Sequence, residues 1–599
     1  MPALLEEYMS NSKLEKTQWL ADARYGFFIH FLNPHRLTES HSGQGSPCNI
    51  DEWNREVDSF NVELMAREFA EAGAGYAFLT VGQNSGYYCS PNRVFDEIMG
   101  EKRCSERDLV AEFSDALAKY GIPCLVYTTG LAPYLDRKAV EKLECVPPWY
   151  HMSCNAYERY PDLVIPDSRL VNFQNKWNAI HREWAMRWGK KIKGWWVDGT
   201  HRKQLFEFPD EPNGKTFADA LRAGNPDAIL AFNTGDVVEP GADVPELEDY
   251  TAGEMNTPQL GICPGPLVDG LRYHILTYVG KTWWTGPVSV TGEFMAEVTR
   301  KVNDNGGAVS WDLPFSAEKG LEGEVRTLLA DFKREYKKSL ECFPPTSVAI
   351  TAPRIGQDSS SIPGTALFRS GSLAGMEVEW NGKKTICEEG SEFALDLAPL
   401  LPDGDFVVTR NGVKRSYPVT TVKEFVLGEE FTAPVDLFQR GKDAKLSSIS
   451  FAAKDGKFLL KGTIFEDELL FLKEPHKLTH EKYCSNLELY FSLDNRRKKA
   501  ILIRADKNCF SMENKVLERV NDIYCSYSPL RDGKYEFYLE IPLVNLPDGE
   551  ADVDSFKLNI AQRAFRNGTL VDGKMFGGRS KYFLPSYDAA IFHLPKKEK

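Results

Sequence analysis

From residue 25 to residue 314 the chain alternates short apolar runs with longer stretches whose apolar positions recur at helical spacing. Eight runs are predicted as strands: Tyr25–Phe31, Tyr76–Gly82, Pro123–Thr129, Ile192–Gly199, Ala228–Thr234, Asp249–Met255, Lys281–Gly286 and Gly307–Pro314. Helices are predicted between most of them, with Val62–Ala72, Glu106–Tyr120 and Asn172–Gly189 showing the period of an amphipathic face. No helix is evident between the fifth and sixth runs. Strand–helix alternation with continuous apolar strands indicates a parallel sheet covered on both faces, and eight such units in about 340 residues indicate a (β/α)8-like (TIM) barrel.

After the charged helical stretch Gly323–Leu340 the pattern changes. From Ser347 onward short runs of period two (VAITA, ALFRS, MEVEW, FVVTR) are separated by Gly, Pro and Asp, as antiparallel strands and turns require. The DGD and RNG turns fit hairpins. The expected organisation is an α/β barrel over 1–343, ending at Phe343-Pro344-Pro345, then two all-β sandwich domains over 344–427 and 428–599.

The 599 residues are 42% hydrophobic and 26% charged, which describes globular protein and excludes a disordered chain. The net charge of −14 has the wrong sign for holding polyphosphate, so nucleic acid is not an expected partner. No run of 18 apolar residues is present, so no membrane span is expected. The 12 cysteines are scattered from Cys48 to Cys525 without a CxxC, which reads as free or buried thiols in a reducing compartment. The start, MPALLEEYMSNSKLEK, lacks a signal-peptide pattern, so a cytoplasmic location is expected, or a periplasmic or secreted one if the start has been trimmed. No metal-ligand cluster and no phosphate-binding glycine loop is evident, and no cofactor is expected.

Barrels of this kind carry their chemistry at the carboxyl ends of the strands. There the chain places His30, Gln83, Asn84, Tyr127, Asp198, Asn233, Glu254, Trp284 and Asp312. Asp198 is the sharpest candidate, since a carboxylate closing the run Gly-Trp-Trp-Val would cost several kcal/mol to bury unpartnered. Asp before Gly is also a common turn pair, but the two adjacent tryptophans favour the site reading. Eleven of the 12 tryptophans lie between Trp19 and Trp311, where they serve either as core or as faces for sugar rings.

Over roughly residues 16–340 the motifs resemble glycoside hydrolase family 29, the α-L-fucosidases. WLADARYGFFIHF resembles the family's opening and places His30 at its sugar-contacting histidine. Glu52-Trp53 matches the Glu-Trp bordering the sugar, and EFAEAGAGYAFLT the helix-to-strand segment. Arg107-Asp108-Leu109-Val110 matches its RDLV; GWWVDG, with Trp196 and Asp198, resembles the nucleophile motif. GEMNTPQ (253–259) and VNDNGGAVSWDLP resemble the last segments of the barrel. The resemblance implies a (β/α)8-like barrel followed by a β-sandwich, and retaining, exo-acting hydrolysis in which Asp198 attacks the anomeric carbon. Glu254 is the first choice for acid/base, its proton held by repulsion from Asp198, with Glu246, Glu248 and Asp312 as rivals. Strands from about Glu429 onward resemble a family 9 carbohydrate-binding module, although that stretch contains no tryptophan.

The departures bear on specificity. The family's Lys-His-His-Asp-Gly-Phe is here Gly82-Gln83-Asn84-Ser85-Gly86-Tyr87, so amides stand where histidines grip fucose. Phe31 replaces a tryptophan, Asn233-Thr234 an arginine, Gln259 a glutamate and Tyr273-His274 a Trp-Glu pair. A site that reads hydroxyls discriminates strongly on such partners, so a different or substituted sugar is expected beside fucose itself. His35, His41 and His201 are minor loop candidates. The expected partner is an oligosaccharide or glycoconjugate substrate, with homo-oligomerisation open. Two alternatives stand: a non-hydrolytic carbohydrate-binding protein on a decayed barrel, and an inverting enzyme with carboxylates about 6.5–9.5 Å apart.

Overall fold

The structure, a computed structural model, describes residues 12–32, 49–133, 135–145, 169–200, 206, 208–233, 235, 240–242, 244–260, 262–263, 266–342, 346–370, 372–399, 404–419, 421–437, 447–465, 485–492, 498–504, 509–513, 516–546, 554–566, 569–576 and 590–595. His35, His41, His201, Thr234 and Phe343-Pro344-Pro345 lie outside the described residues.

Seven parallel strands form one sheet: β1 (Tyr25–Ile29), β2 (Tyr76–Thr80), β3 (Cys124–Thr129), β4 (Ile192–Asp198), β5 (Ile229–Phe232), β6 (His274–Tyr278) and β7 (Ala308–Asp312), in the order β5-β4-β3-β2-β1-β7-β6. Their side chains alternate between two cores, as the period of two demands. Phe27, Leu79, Val126, Trp195, Leu230, Ile275 and Val309 face the surrounding helices. Phe28, Phe78, Tyr127, Trp196, Ala231, Leu276 and Ala308 face a second, inner core. Burial on both sides is why these strands are continuous apolar runs.

The predicted sixth and seventh strands are corrected. Residues 249–255 form no regular strand; they make isolated parallel bridges, Tyr250 with Arg272 and Glu254 with Leu276. They still lie between the two edges of the sheet, because Asp249 N donates to Leu230 O (2.8 Å) and Thr251 N to Arg272 O (3.0 Å). Gly253 interrupts regularity: its φ is +59°, and a Cβ there would sit 2.2 Å from His274 O. Lys281–Gly286 is a turn and not a strand, with Trp284 at φ +47°. The strand that fills this place is β6, directly upstream. Tryptophan favours pleated surfaces, but the pair Trp283-Trp284 stands in a turn.

The predicted helix Val62–Ala72 is observed with the same bounds; Glu106–Tyr120 is observed shorter, as Leu109–Ala118, and Asn172–Gly189 one residue earlier, as Val171–Trp188. Capping explains the starts of the first two: Asn61 accepts from Leu64 N and Asp108 from Ala111 N. Helix Gly323–Cys342 closes the α/β part. Beyond it the described chain is mostly antiparallel β, with two-residue hairpin turns Asn381-Gly382 and Asn411-Gly412 at positive φ in both positions. Val422–Val426 pairs parallel with Ala590–His593, so one sheet draws strands from both sides of residue 427. A buried ion pair from Arg415 to Asp304, with Arg300 on the other oxygen (2.7 Å), ties the β part to helix Gly292–Asp304.

Among the described residues no helix is long and apolar enough to cross a membrane. Eight described cysteines are free thiols, and all but Cys525 are buried.

Candidate active site

Parallel pairing sets the site. Thr129 of β3 is level with Asp198 of β4, and Val197 is level with Phe232 of β5, so Tyr127, Asp198 and Asn233 come together at the carboxyl ends of three neighbouring strands. The backbone of Asn233 is pinned to β4 by Asn233 N to Val197 O (2.8 Å) and Thr200 N to Asn233 O (2.9 Å). Glu254 arrives from the irregular segment, fixed by Leu276 N to Gly253 O (2.9 Å) and Met255 N to Leu276 O (2.8 Å).

Three donors converge on the half-buried Asp198 carboxylate. Gly199 N (2.8 Å) and Asn233 Nδ2 (2.8 Å) donate to Oδ1, and Tyr127 Oη donates to Oδ2 (2.6 Å). Asn233 Nδ2 also donates to Glu254 Oε2 at 2.6 Å. The nearest oxygens of the two carboxylates are therefore no farther apart than the sum of those two bonds, below about 5.5 Å. Gln83 Nε2 donates to Tyr127 Oη at 2.6 Å, which extends the chain to the loop after β2. Burial, then the charge of Asp198, pushes the Tyr127 phenol well above its ordinary range, so it stays protonated and donates.

A second group flanks the first. His30, directly after β1, meets Asp312 Oδ1 through Nδ1 at 2.7 Å. Asp312 is fully buried, and its other oxygen accepts from Trp284 N. The His30 ring packs against Trp284 at 4.7 Å and Trp283 at 6.0 Å between centroids, and against Tyr127 at 5.5 Å. Trp283 and Trp284 are partly exposed and form an aromatic wall beside His30. Trp283 was not singled out from sequence; with its neighbour it had been assigned to a strand.

Several candidates stand elsewhere than expected. Asp312 does not face the mouth; it is buried behind His30 and orients that ring. Trp53 is fully buried, donates to Tyr88 O (3.0 Å) and stacks on Phe31 at 5.1 Å, so it is core. Trp196 belongs to the inner core, stacked on Tyr127 at 5.4 Å with its Nε1 on Ala252 O (3.0 Å). Glu52 spends its carboxylate on the helix cap, accepting from Asn49 N at 3.2 Å. Among the rivals for the acid, Glu248 is fully buried and accepts from the backbone amides of Phe232 (2.9 Å) and Val244 (2.6 Å), while Glu246 is exposed. Asn84 is half-buried, its carbonyl accepting from Leu135 N at 3.2 Å.

The loop carrying Gln83 and Asn84 is fastened from outside. Arg103 bonds Asp136 at 2.6 Å and Glu101 at 2.7 Å, and lies 4.7 Å over the Tyr87 ring. Gly86 permits this contact: its φ is +74° and a Cβ would come within 2.4 Å of the Asp136 carboxylate.

The chemistry available is that of two adjacent carboxylates with fixed donors, a buried-side histidine and an aromatic wall. Among the described residues no group of three or more His, Cys, Asp or Glu side chains is placed to hold a metal ion.

No protein-family model matches the sequence, and neither does any curated protein. Among solved structures the chain is similar to the α-L-fucosidase AlfC from Lactobacillus casei in complex with α-L-fucose, with a TM-score of 0.42 and 14% identity over 55% of this chain and 99% of that one. It is similar to α-L-fucosidase isoenzyme 1 from Paenibacillus thiaminolyticus, with a TM-score of 0.41 and 13% identity over 62% and 90% of the two chains. The endo-fucoidan hydrolase P5AFcnA of glycoside hydrolase family 107 follows at 0.38 and 14%, over 54% and 94%. Likeness at this level does not define an activity for the chain.

Proposed function

We propose that the chain is a retaining glycosidase in which Asp198 is the nucleophile and Glu254 the acid/base. The observation that supports this most directly is the pair of carboxylates held on one amide nitrogen, Asn233 Nδ2, at the strand ends. Their nearest oxygens are within the separation of about 5–5.5 Å that suits a double displacement and too close for a water to be held between them. Asp198 forms a bond to the anomeric carbon as the bond to the leaving oxygen breaks, and Glu254 gives that oxygen its proton. Glu254, now a carboxylate, takes a proton from water; the hydroxide equivalent attacks the anomeric carbon and Asp198 leaves as it began. The Trp283–Trp284 wall offers an aromatic face to the sugar ring, and His30, its Nδ1 held by Asp312, turns Nε2 to a hydroxyl.

The sugar proposed is fucose or a related or substituted sugar, on the motif resemblance, with Asn84 supplying amide groups where that family uses histidine. The test is a panel of α- and β-linked nitrophenyl glycosides, including α-L-fucoside, α-L-rhamnoside, α-L-arabinoside and galactosides, with wild type and Asp198→Asn run together. Turnover of one glycoside that falls by at least about a thousandfold in Asp198→Asn is expected. Turnover within a few-fold of wild type in that variant would remove Asp198 from the mechanism. Tight oligosaccharide binding by calorimetry with no product would replace hydrolysis by the binding-only alternative.

A further inference from the structure

We infer that Gln83 is a positioning residue that fixes the direction of the hydrogen bond from Tyr127 to Asp198. This rests on the proposed role of Asp198 for its catalytic meaning, but the hydrogen-bond geometry stands by itself. Tyr127 Oη sits between Gln83 Nε2 and Asp198 Oδ2, at 2.6 Å from each. A phenol has one proton to give and a lone pair to accept with. An ionised carboxylate only accepts, so the proton lies on the Asp198 side and the other partner must be a donor. The amide of Gln83 is that donor. The order is Gln83 to Tyr127 to Asp198, each bond polarising the next.

The surroundings hold Gln83 to this task. Its loop leaves β2 and returns at once, with Cys89 N on Val81 O (2.8 Å), while Val81 N is bonded to Tyr127 O (3.0 Å). Gly82 has no room for a side chain, since a Cβ would meet the Tyr88 ring at 2.4 Å. The Arg103–Asp136 pair and Leu135 N on Asn84 O fasten the far side of the loop. Tyr127 is itself locked, 1% exposed and stacked on Trp196. With both neighbours fixed, the identity of residue 83 decides what Tyr127 can do. Glutamate at 83 has the same shape and reach but, ionised, cannot donate. It competes for the one phenolic proton and takes it from Asp198.

The inference removes Gln83 from the sugar contacts expected from sequence and makes a kinetic distinction. Loss of a sugar contact raises KM, whereas loss of a donor that acts through Tyr127 lowers kcat. The experiment is a double-mutant cycle in the full chain: Gln83→Glu and Gln83→Met, each with Tyr127 intact and with Tyr127→Phe, each checked for folding by circular dichroism. Two quantities are read. One is kcat and KM on the glycoside that the wild type turns over. The other needs no turnover: the carboxyl-carbon resonance of Asp198 in protein labelled with [13Cγ]aspartate, identified by its loss in Asp198→Asn.

With Tyr127 intact, Gln83→Glu lowers kcat by at least about tenfold with KM changed less than about threefold, and Gln83→Met by less. The Asp198 resonance moves in Gln83→Glu. In the Tyr127→Phe background both effects of residue 83 vanish, because the relay is already cut. Equal effects of Gln83→Glu in the two backgrounds, or a rise in KM without loss of kcat, would overturn the inference and return Gln83 to the sugar. If no glycoside is turned over, the glycosidase reading fails by itself, and the resonance cycle still decides the direction of the bond.

Discussion

Asp198 and Glu254, carried by β4 and by a segment that is not a strand, accept hydrogen bonds from the same nitrogen atom, Nδ2 of Asn233. Two carboxylates this close repel each other, and a shared donor is the least motion-prone way to hold both. Asn233 is 2% exposed and anchored by its backbone to β4, so its amide cannot turn toward one partner without leaving the other.

Removing that donor has a defined consequence. Asn233→Leu leaves each carboxylate short of one charge-assisted bond, a loss of about 1.5–3 kcal/mol in a site of this kind. The expected outcome is a fall in kcat/KM of about ten- to a hundredfold. Loss of a donor to Glu254 and of screening between the carboxylates favours its neutral, acid form, so the alkaline limb of the rate profile moves to higher pH. A pH–rate series on the variant checks both; an unmoved alkaline limb would separate Asn233 from Glu254 in function.

The pair His30–Asp312 makes a different prediction. Asp312 pairs with His30 Nδ1 and accepts from Trp284 N, which favours the ring tautomer that carries its proton on Nδ1 and holds the turn that carries the aromatic wall. Asp312→Asn keeps the shape but offers an amide that can donate, which reverses the tautomer. Activity is expected to fall at least about tenfold, with a melting temperature lowered by only a few degrees because both partners remain filled. Nitrogen-15 shifts of His30 would report the tautomer directly, and an unchanged tautomer would contradict the role given to Asp312.

Two other histidines bear on stability and not on chemistry. His181 bonds Thr128 Oγ1 (2.9 Å) and Trp177 O (2.9 Å), and His274 bonds Thr251 O (2.9 Å) and Ser310 Oγ (2.8 Å). Burial pushes each down from 6.5 to about 4, so both are neutral in the folded chain. Below pH 6.5 the unfolded chain binds protons that the folded chain does not, and the stability present above that pH is lost as the pH falls toward about 4. Each site contributes up to about 3 kcal/mol to this slope. Urea midpoints are expected to fall between pH 7 and pH 5, and His181→Gln or His274→Gln to flatten that fall while lowering stability at pH 7. An equally steep fall in both variants would place the acid sensitivity elsewhere.

The positions of six of the seven strands were legible in the sequence because each is buried on both faces, and two-sided burial writes a continuous apolar run. The end of β4 was legible for the same reason: Asp198 is the first ionisable residue after a run that has no other place to end. Tryptophan could not be sorted by sequence, since a ring that stacks on a sugar and a ring that fills a core are the same residue. Trp53 and Trp196 proved to be core, and Trp283 and Trp284 partly exposed beside His30.

What the chain by itself determined is therefore local: which segments can be strands, where they stop, and which polar groups stand at their ends. Period and composition act over a few residues, and so do the signals they leave. Only the tertiary structure decided that Asn233 would serve two carboxylates, that Asp312 would turn its back on the mouth, and that Gln83 would reach Tyr127. Those relations follow from the register of parallel strands far apart in sequence, Thr129 level with Asp198 and Phe28 level with Asp312, and from a glycine-bent segment that takes the place of a strand. Register is set by packing between elements, which no single stretch of sequence contains.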